Sequence, residues 1–369
     1  MVKINIVGKF FDNHSLSIIN RNVALGLSSL VDVKIISLDS PDQSYKLDYE
    51  VVSKLLELRG NHEDADVEIR HSYPPMWRFP ANKNTKLIYI QPWEYSSVPF
   101  EWQYKFETFS DKLVSLSRFS EEAFLNAGLN PADSVVIPCG YNSKVFNTEG
   151  RTNSSITRVL FVGCGQYRKG LDILLSYWAK NTKSYQNLEL TVKDTPQIYG
   201  QSNLFQDIVQ LQYKSKCAKI VYDDSIKSEQ DMANMYKNTD ILVHPYRGEG
   251  FGMHVQEAMA CGVIPVVTGG GSTDDFVLQN RVRSVRKVVN MNDIFAIKPG
   301  DSMSLMGAHR YVIEPDMTDL TNTINSIISG HNNIKVDTSK LNTWSDVVDR
   351  YYNLVQEVSN IKVPKRVRE

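Results

Sequence analysis

The sequence predicts an α/β protein built from two successive doubly wound domains. Three observations carry that prediction. Short runs rich in Val, Ile and Leu alternate with longer stretches of helical pattern, as parallel strand–helix units require. At 369 residues, the chain is long enough for two or three domains of ordinary size. A polar, aperiodic segment, GYNSKVFNTEGRTNSSIT, interrupts the alternation, which then restarts, so it reads as a linker.

In the first half the strand candidates are KINIVG, VDVKIISL, ADVEIRHS, KLIYIQ, DKLVSLS and SVVIPCG. Helical stretches lie between them, including SLSIINRNVALGLSSL and SEEAFLNAG. The latter is expected to open at Ser120, with Glu121 and Glu122 in its first turn, and to stop at Gly128. After the linker come RVLFVGCG, a helix from about Leu171, NLELTVK, AKIVYDD, a helix around EQDMANMYKN, DILVHPY, a helix around VQEAMAC, and VIPVVTGG. The expected boundaries are residues 1–150, 151–340 and a C-terminal helix with a basic tail over 341–369.

Composition narrows the function classes. Lys and Arg number 41 against 42 Asp and Glu, so the basic excess that nucleic-acid binding needs is missing. No run approaches the ~20 apolar residues of a membrane helix. The N-terminus alternates as a strand and does not resemble a leader peptide. Cys139, Cys164, Cys217 and Cys261 have no CxxC spacing and fit reduced thiols, which together give the expectation of a cytoplasmic protein. The tail KVPKRVRE reads as a solvated terminus; its charge would also suit an anionic membrane surface, but no basic amphipathic helix accompanies it, and oligomeric state is not legible.

In open parallel sheets, ligands bind outside the carboxyl ends of the strands. Two facing domains are expected to enclose a cleft there, so the chemistry belongs in loops that follow strands. VGCGQYRKG is such a loop. Gly163, Gly165 and Gly170 allow a tight turn, the next helix offers its positive end, and Arg168 and Lys169 add two cations, together a phosphate-site candidate. The spacing fits neither a dinucleotide fingerprint nor a P-loop. A second loop, GGGST at 269–273, reads by itself as a flexible turn.

The densest segment is HPYRGEGFGMHVQEAMACGVIPVV. Glu249 follows the strand DILVHPY, and Glu257 lies eight residues on, within a helix expected to end at Gly262. Offset along a helix axis that rises ~1.5 Å per residue, the two carboxylates are placed to grip one ligand of about 10 Å at both ends. Carboxylates suit vicinal hydroxyls, such as those of a ribose and a second sugar. Asp64-Ala65-Asp66 has the spelling of an Asp-x-Asp metal site, but it precedes a strand and reads as a charged loop. No metal is therefore expected.

EGFGMHVQEAMACGVIPVV, RKGLD at 168–172, VIPCGYNSKVF and LNTWSDVVDRYYNLV together resemble the retaining glycosyltransferases of family 4, which have the GT-B fold of two Rossmann-like domains. The resemblance spans most of residues 86–357, is most specific over 158–275, and is weak in the first 85. It implies a metal-independent, cofactor-free transfer of a sugar from a nucleotide-diphosphate donor to a hydroxyl of a glycan, lipid or protein. It also implies that Glu257 holds the ribose and that Glu249 holds the transferred sugar beside the backbone of Gly250, Phe251 and Gly252. Arg168 and Lys169 would then neutralise the leaving diphosphate, with Gly165 and, from the first domain, Gly8 beside it. Many relatives carry a His after the strand that here is KLIYIQ, where this chain has Gln91. The blocks HSYPP and QPWE place it nearer a subset of that family. His14, His71 and Trp93 are the candidates for the acceptor side, Trp93 as a stacking platform. A non-catalytic nucleotide-sugar binder and a nucleotide-sugar epimerase are the alternative functions.

Overall fold

The computed structural model describes residues 1–152, 154–200, 203–288, 311–330, 334–362 and 364, without the side chains at 100, 101, 103 and 199. Most of the tail KVPKRVRE lies outside these residues. The chain divides into two compact units. One comprises Met1–Gly140 with the described residues from Asn342 onward, and the other the described residues of Tyr141–Ile294 and Tyr311–Leu341.

The first unit holds a six-stranded parallel sheet in the order β2-β1-β3-β4-β5-β6. The strands are β1 Lys3–Gly8, β2 Asp32–Ser37, β3 Val67–His71, β4 Lys86–Ile90, β5 Lys112–Ser115 and β6 Ser134–Val136. Helices α1 Ser15–Leu27, α2 Tyr49–Glu57, α3 Phe100–Phe109 and α4 Arg118–Asn126 connect them. The central strands are buried on both faces, which is why they read as continuous apolar runs: β3 is buried at every position. Helix α4 starts earlier than Ser120, because the Ser117 side chain caps it by accepting from the Ser120 amide. The C-terminal helix Trp344–Ser359 opens with a Thr343–Asp346 capping box and packs on α1 within this unit.

The second unit repeats the plan in the order β12-β11-β10-β7-β8-β9, all parallel. Its strands are β7 Thr157–Val162, β8 Leu188–Lys193, β9 Lys219–Asp223, β10 Ile241–His244, β11 Ile264–Thr268 and β12 Arg281–Val282. Its helices include α5 Leu171–Asn181, α6 Pro196–Tyr199, α7 Leu204–Ser215, α8 Glu229–Lys237 and α9 Met253–Ala260. Val159, Phe161, Leu190, Val243 and Val266 form the sheet's buried face with Tyr177 and Trp178 of α5. An antiparallel hairpin, β13 Ser284–Val288 with β14 Tyr311–Pro315, and the helix Met317–Gly330 complete it.

The segment read as a linker is structured at its start. Phe146 is buried against the ring of Tyr236, and Asn142 donates to Glu229, so residues from Tyr141 onward belong to the second unit. An apolar anchor outweighs the polar composition around it.

Candidate active site

In the second sheet the chain passes from one side of β7 to the other between β9 and β10, so the β7/β10 pair is the topological switch point. Loops leaving the carboxyl ends of such a pair diverge and open a crevice, the standard ligand position in this architecture. The loop after β7 carries Arg168 and Lys169, and the loop after β10 carries Glu249. The two loops lie against each other because of one glycine. At φ +74°, Gly170 caps α5, and a Cβ there would stand 1.9 Å from the carbonyl oxygen of Pro245.

Lys169 and Glu249, 80 positions apart in sequence, meet at 2.5 Å between Nζ and Oε2. Both are almost fully buried, Lys169 at 7% exposure and Glu249 at 8%. The Nε2 of His244 reaches the same oxygen at 3.1 Å, while Glu249 Oε1 accepts from the Gly250 amide at 3.2 Å. Burial pushes the Glu249 carboxyl upward, but Lys169, the His244 hydrogen bond and Arg168 outweigh it and hold Glu249 well below the usual carboxylate range. Burial lowers His244 to about 4, so its ring is neutral and donates from Nε2, which leaves its buried Nδ1 without a partner among the described residues. The resemblance put Lys169 and Glu249 on different parts of a donor. The structure instead pairs them, which keeps one carboxylate ionised and oriented in a dry site.

Arg168 is half-buried and donates from Nη1 to the Gly248 carbonyl at 3.4 Å, and its own carbonyl receives the Arg247 amide at 2.7 Å. Arg247 itself, which sequence reasoning missed, is the staple of the site. Its guanidinium forks onto both oxygens of Asp172 at 2.8 Å, donates from Nε to Glu314 at 2.8 Å and from Nη1 to the Tyr167 carbonyl at 2.8 Å. It also lies 3.9 Å from the centre of the Tyr167 ring. The loop bearing Arg168 and Lys169 is thereby tied at once to α5, β10 and β14.

Glu257 lies in α9, half-buried, and accepts from the Tyr236 hydroxyl at 3.2 Å. Burial and the nearby Glu229 raise its carboxyl to about 8 against the opposing Tyr236 hydrogen bond. A carboxyl raised in the folded chain adds stability that is complete below its unfolded pKa and is lost as pH climbs through about 8. Glu257→Gln is therefore expected to match the native protein in Tm near pH 4.5. Above pH 8 it should melt several degrees higher, as differential scanning calorimetry across pH can check, at about 2–4 °C per kcal/mol for a unit of this size.

The remaining expected residues are placed as follows. Gly250, Phe251 and Gly252 line the turn into α9. Phe251 turns its ring away to pack on Phe276, so only its backbone remains for a ligand. Gly252, at φ +98°, opens α9 without a side-chain cap, which leaves the helix's positive end toward Glu249. Gly165 is exposed in the β7 loop. The GGGST loop is not a flexible turn: Ser272 and Thr273 are fully buried, and Thr273 Oγ1 lies 2.8 Å from the Tyr246 hydroxyl.

In the first unit, Gly8 ends β1 beside His71. His14 caps α1, its Nδ1 accepting from the Leu16 amide at 3.2 Å. Trp93 is a correction to the sequence reading. It is 1% exposed, donates from Nε1 to the Ser97 carbonyl at 2.7 Å and packs edge-on against Trp102, so it has no open face for a sugar. Asp64 and Asp66 sit at the amino end of β3, Asp64 paired with the Lys3 ammonium at 2.6 Å and Asp66 accepting the Lys3 amide at 2.9 Å, a structural clasp.

His254 stands beside this site, its ring centre 4.2 Å from that of His244. His244, Glu249 and His254 bring one metal-ligating atom each within 4.8 Å of one another, a cluster the sequence motifs did not reveal. Glu249 is already held by Lys169, whose ammonium disfavours a second cation at the same oxygen. The signal for His244 was available in DILVHPY, five residues before Glu249, but a lone His at a strand end carries little information.

Known proteins resemble the chain as a whole and its second half in particular. Residues 148–331 match the family model "Glycosyl transferases group 1". An uncharacterized glycosyltransferase from Methanocaldococcus jannaschii is 26% identical over 200 residues, 54% of this chain and 52% of that protein, so the match spans about half the length of the curated relative. Among solved structures, a glycosyltransferase from Rickettsia africae aligns with TM-score 0.68 and 17% identity over 98% of this chain and 99% of that one. Sucrose-phosphate synthase from Thermosynechococcus elongatus aligns at 0.60 and 15% over 100% and 97%. Anabaena HepE, solved with UDP and glucose, aligns at 0.56 and 13% over 97% of each. At these identities the structures speak for the fold alone. Among the described residues, no helix is long and apolar enough to cross a membrane. The chain has the GT-B fold, and its residues 148–331 match the model of the group 1 glycosyltransferases.

Proposed function

We propose that this chain is a retaining glycosyltransferase of the family 4 type, moving a sugar from a nucleoside-diphosphate donor to a hydroxyl of a glycan, lipid or protein in the cytoplasm without a metal. One observation carries the reading: an anionic carboxylate and two cations, Glu249, Lys169 and Arg168, converge on the switch-point loops of the second unit. In this reading the Lys169 ammonium, with two N–H donors beyond the one given to Glu249, and the Arg168 guanidinium take up the charge that grows on the diphosphate as the glycosidic bond breaks. Glu249 orients a hydroxyl of the transferred sugar. Glu257 accepts the ribose hydroxyls, and the positive end of α9 faces the phosphates. The leaving phosphate oxygen receives the proton of the incoming hydroxyl on the same face, so the anomeric configuration is retained.

A thermal-shift panel of nucleoside diphosphates, run with and without EDTA, tests it. A matching diphosphate at 100 times its dissociation constant stabilises by ~2.7 kcal/mol, and the shift is expected to survive EDTA. No shift from any diphosphate, or one abolished by EDTA, contradicts the proposal. Incubating the donor alone and looking for an altered sugar separates transfer from epimerisation.

A further inference from the structure

Helix α7 packs on its sheet with one face and leaves a second apolar stripe uncovered. Leu204 and Ile208 are buried in the core of the second unit and anchor the helix. Phe205, Val209 and Tyr213, one turn apart along its outer side, keep 50%, 47% and 84% of their surface exposed. Residues at this four-residue spacing form a single ridge, the kind that packs beside an identical ridge where two helices cross. The ridge is already rigid at one end. The Phe205 ring leans on Tyr222 at 5.7 Å between centres, and the Tyr222 hydroxyl donates to Asp194 at 2.9 Å.

The surroundings direct a partner to this ridge and not to the sheet. Helix α7 leads into β9, the edge strand of the second sheet, and an open strand edge is a ready template for another chain. Here the edge is closed from within. The Gln212 side-chain amide donates to the Ile220 carbonyl at 3.2 Å and accepts from the Ile220 amide at 2.9 Å, filling both positions that an added strand would use there.

Charge and symmetry then select the occupant. Gln206 and Gln212 flank the ridge, and neither is charged. Asp207 and Lys214, the charged residues of α7, project about 140–160° around the helix from Val209, at 100° per residue. A face that meets its own image across a twofold axis must avoid charge, since every charge would be opposed by like charge. The ridge also reads alike from both ends: aromatic, valine, aromatic. Taking ~200 Å² for a full aromatic side chain, the three residues offer about 350 Å² per copy. A symmetric pair therefore covers about 700 Å² of apolar surface before the flanking glutamines are counted, approaching the ~1,000–1,200 Å² of weak specific interfaces.

We propose that two copies of this chain associate reversibly through α7, about a twofold axis at Val209, with Phe205 of each copy against Tyr213 of the other. The assignment is independent of the reaction the chain carries out.

Sedimentation equilibrium of the full chain from about 1 to about 100 μM tests it. The native protein is expected to approach twice the mass of one chain as concentration rises. Val209→Glu places two carboxylates on the axis and should weaken association at least a hundredfold, leaving a monomer with an unchanged Tm because the site is exposed. Val209→Cys should give a disulfide-linked dimer on mild oxidation, whereas Lys214→Cys, on the far flank, and the native chain, with Cys139, Cys164 and Cys261 buried, should not. A native chain that stays monomeric at about 100 μM overturns the proposal. So does a dimer that survives Val209→Glu, which would lie on another surface, or a dimer in which Val209→Cys links no faster than Lys214→Cys.

Discussion

Lys169→Ala is expected to lower turnover by about 10²–10³, the effect of removing one preorganised group from a developing charge. The same substitution should destabilise the second unit by about 3–5 kcal/mol, because it leaves Glu249 buried with a neutral His244 for company. The two effects are separable. Adding Glu249→Gln to Lys169→Ala removes the orphaned charge and should recover much of the stability without recovering turnover. Urea unfolding of the four members of that cycle gives the coupling energy, and steady-state kinetics gives the rates. Full turnover in the single variant, or stability and turnover recovering together in the double, would mean that Lys169 is a structural counter-ion and nothing more.

Arg247→Met should also cost about 10² in rate, although Arg247 is assigned no contact with the reacting atoms. Its guanidinium fixes the Tyr167–Lys169 turn from three sides, and displacement of a positioned group by about 1 Å is enough for a loss of that size. The stability loss should be nearer 2–3 kcal/mol than for a wholly buried pair, because Asp172 keeps 57% of its side chain in water. Arg247→Lys should rescue little, since an ammonium cannot fork onto Asp172 while also serving Glu314 and the Tyr167 carbonyl. A positioning role is distinguished from a general loss of folding by comparing affinities well below the melting transition. The variant should lose affinity for a nucleoside diphosphate while holding its affinity for the bare nucleoside.

Eleven of the twelve strands of the two sheets were legible because parallel strands packed on two faces are nearly unbroken apolar runs: each of the eleven runs named in the sequence contains one, with ends shifted by a few residues, and only the two-residue β12 was missed. Helices α2, α3 and α7 were not named: α2 is short and buries only Leu55, and α7 carries apolar residues on two faces, with Leu204 and Ile208 buried and Phe205, Val209 and Tyr213 exposed. The two-stranded hairpin was hidden for a different reason. Its strands are short, Ser284–Val288 has little buried surface, and its partner is distant in sequence.

For the site, Arg168, Lys169 and Glu249 were recoverable because each sits in a glycine-rich loop directly after a strand, where topology alone gives meaning to a charge. What spacing could not reveal is that Lys169 and Glu249 bond to each other, or that Arg247 spends every side of its guanidinium inside the protein. Those facts depend on which strands become neighbours. Trp93 failed as a sugar platform because an indole beside QPWE reads the same whether its face meets solvent or Trp102.

The most direct test is calorimetric titration of a nucleoside and its diphosphate into the native protein and into Lys169→Ala. If the crevice between the loops after β7 and β10 holds a pyrophosphate, the diphosphate should bind the native protein at least a hundredfold more tightly than the nucleoside, and most of that advantage should vanish in the variant. Equal affinity of nucleoside and diphosphate for the native protein would contradict the assignment.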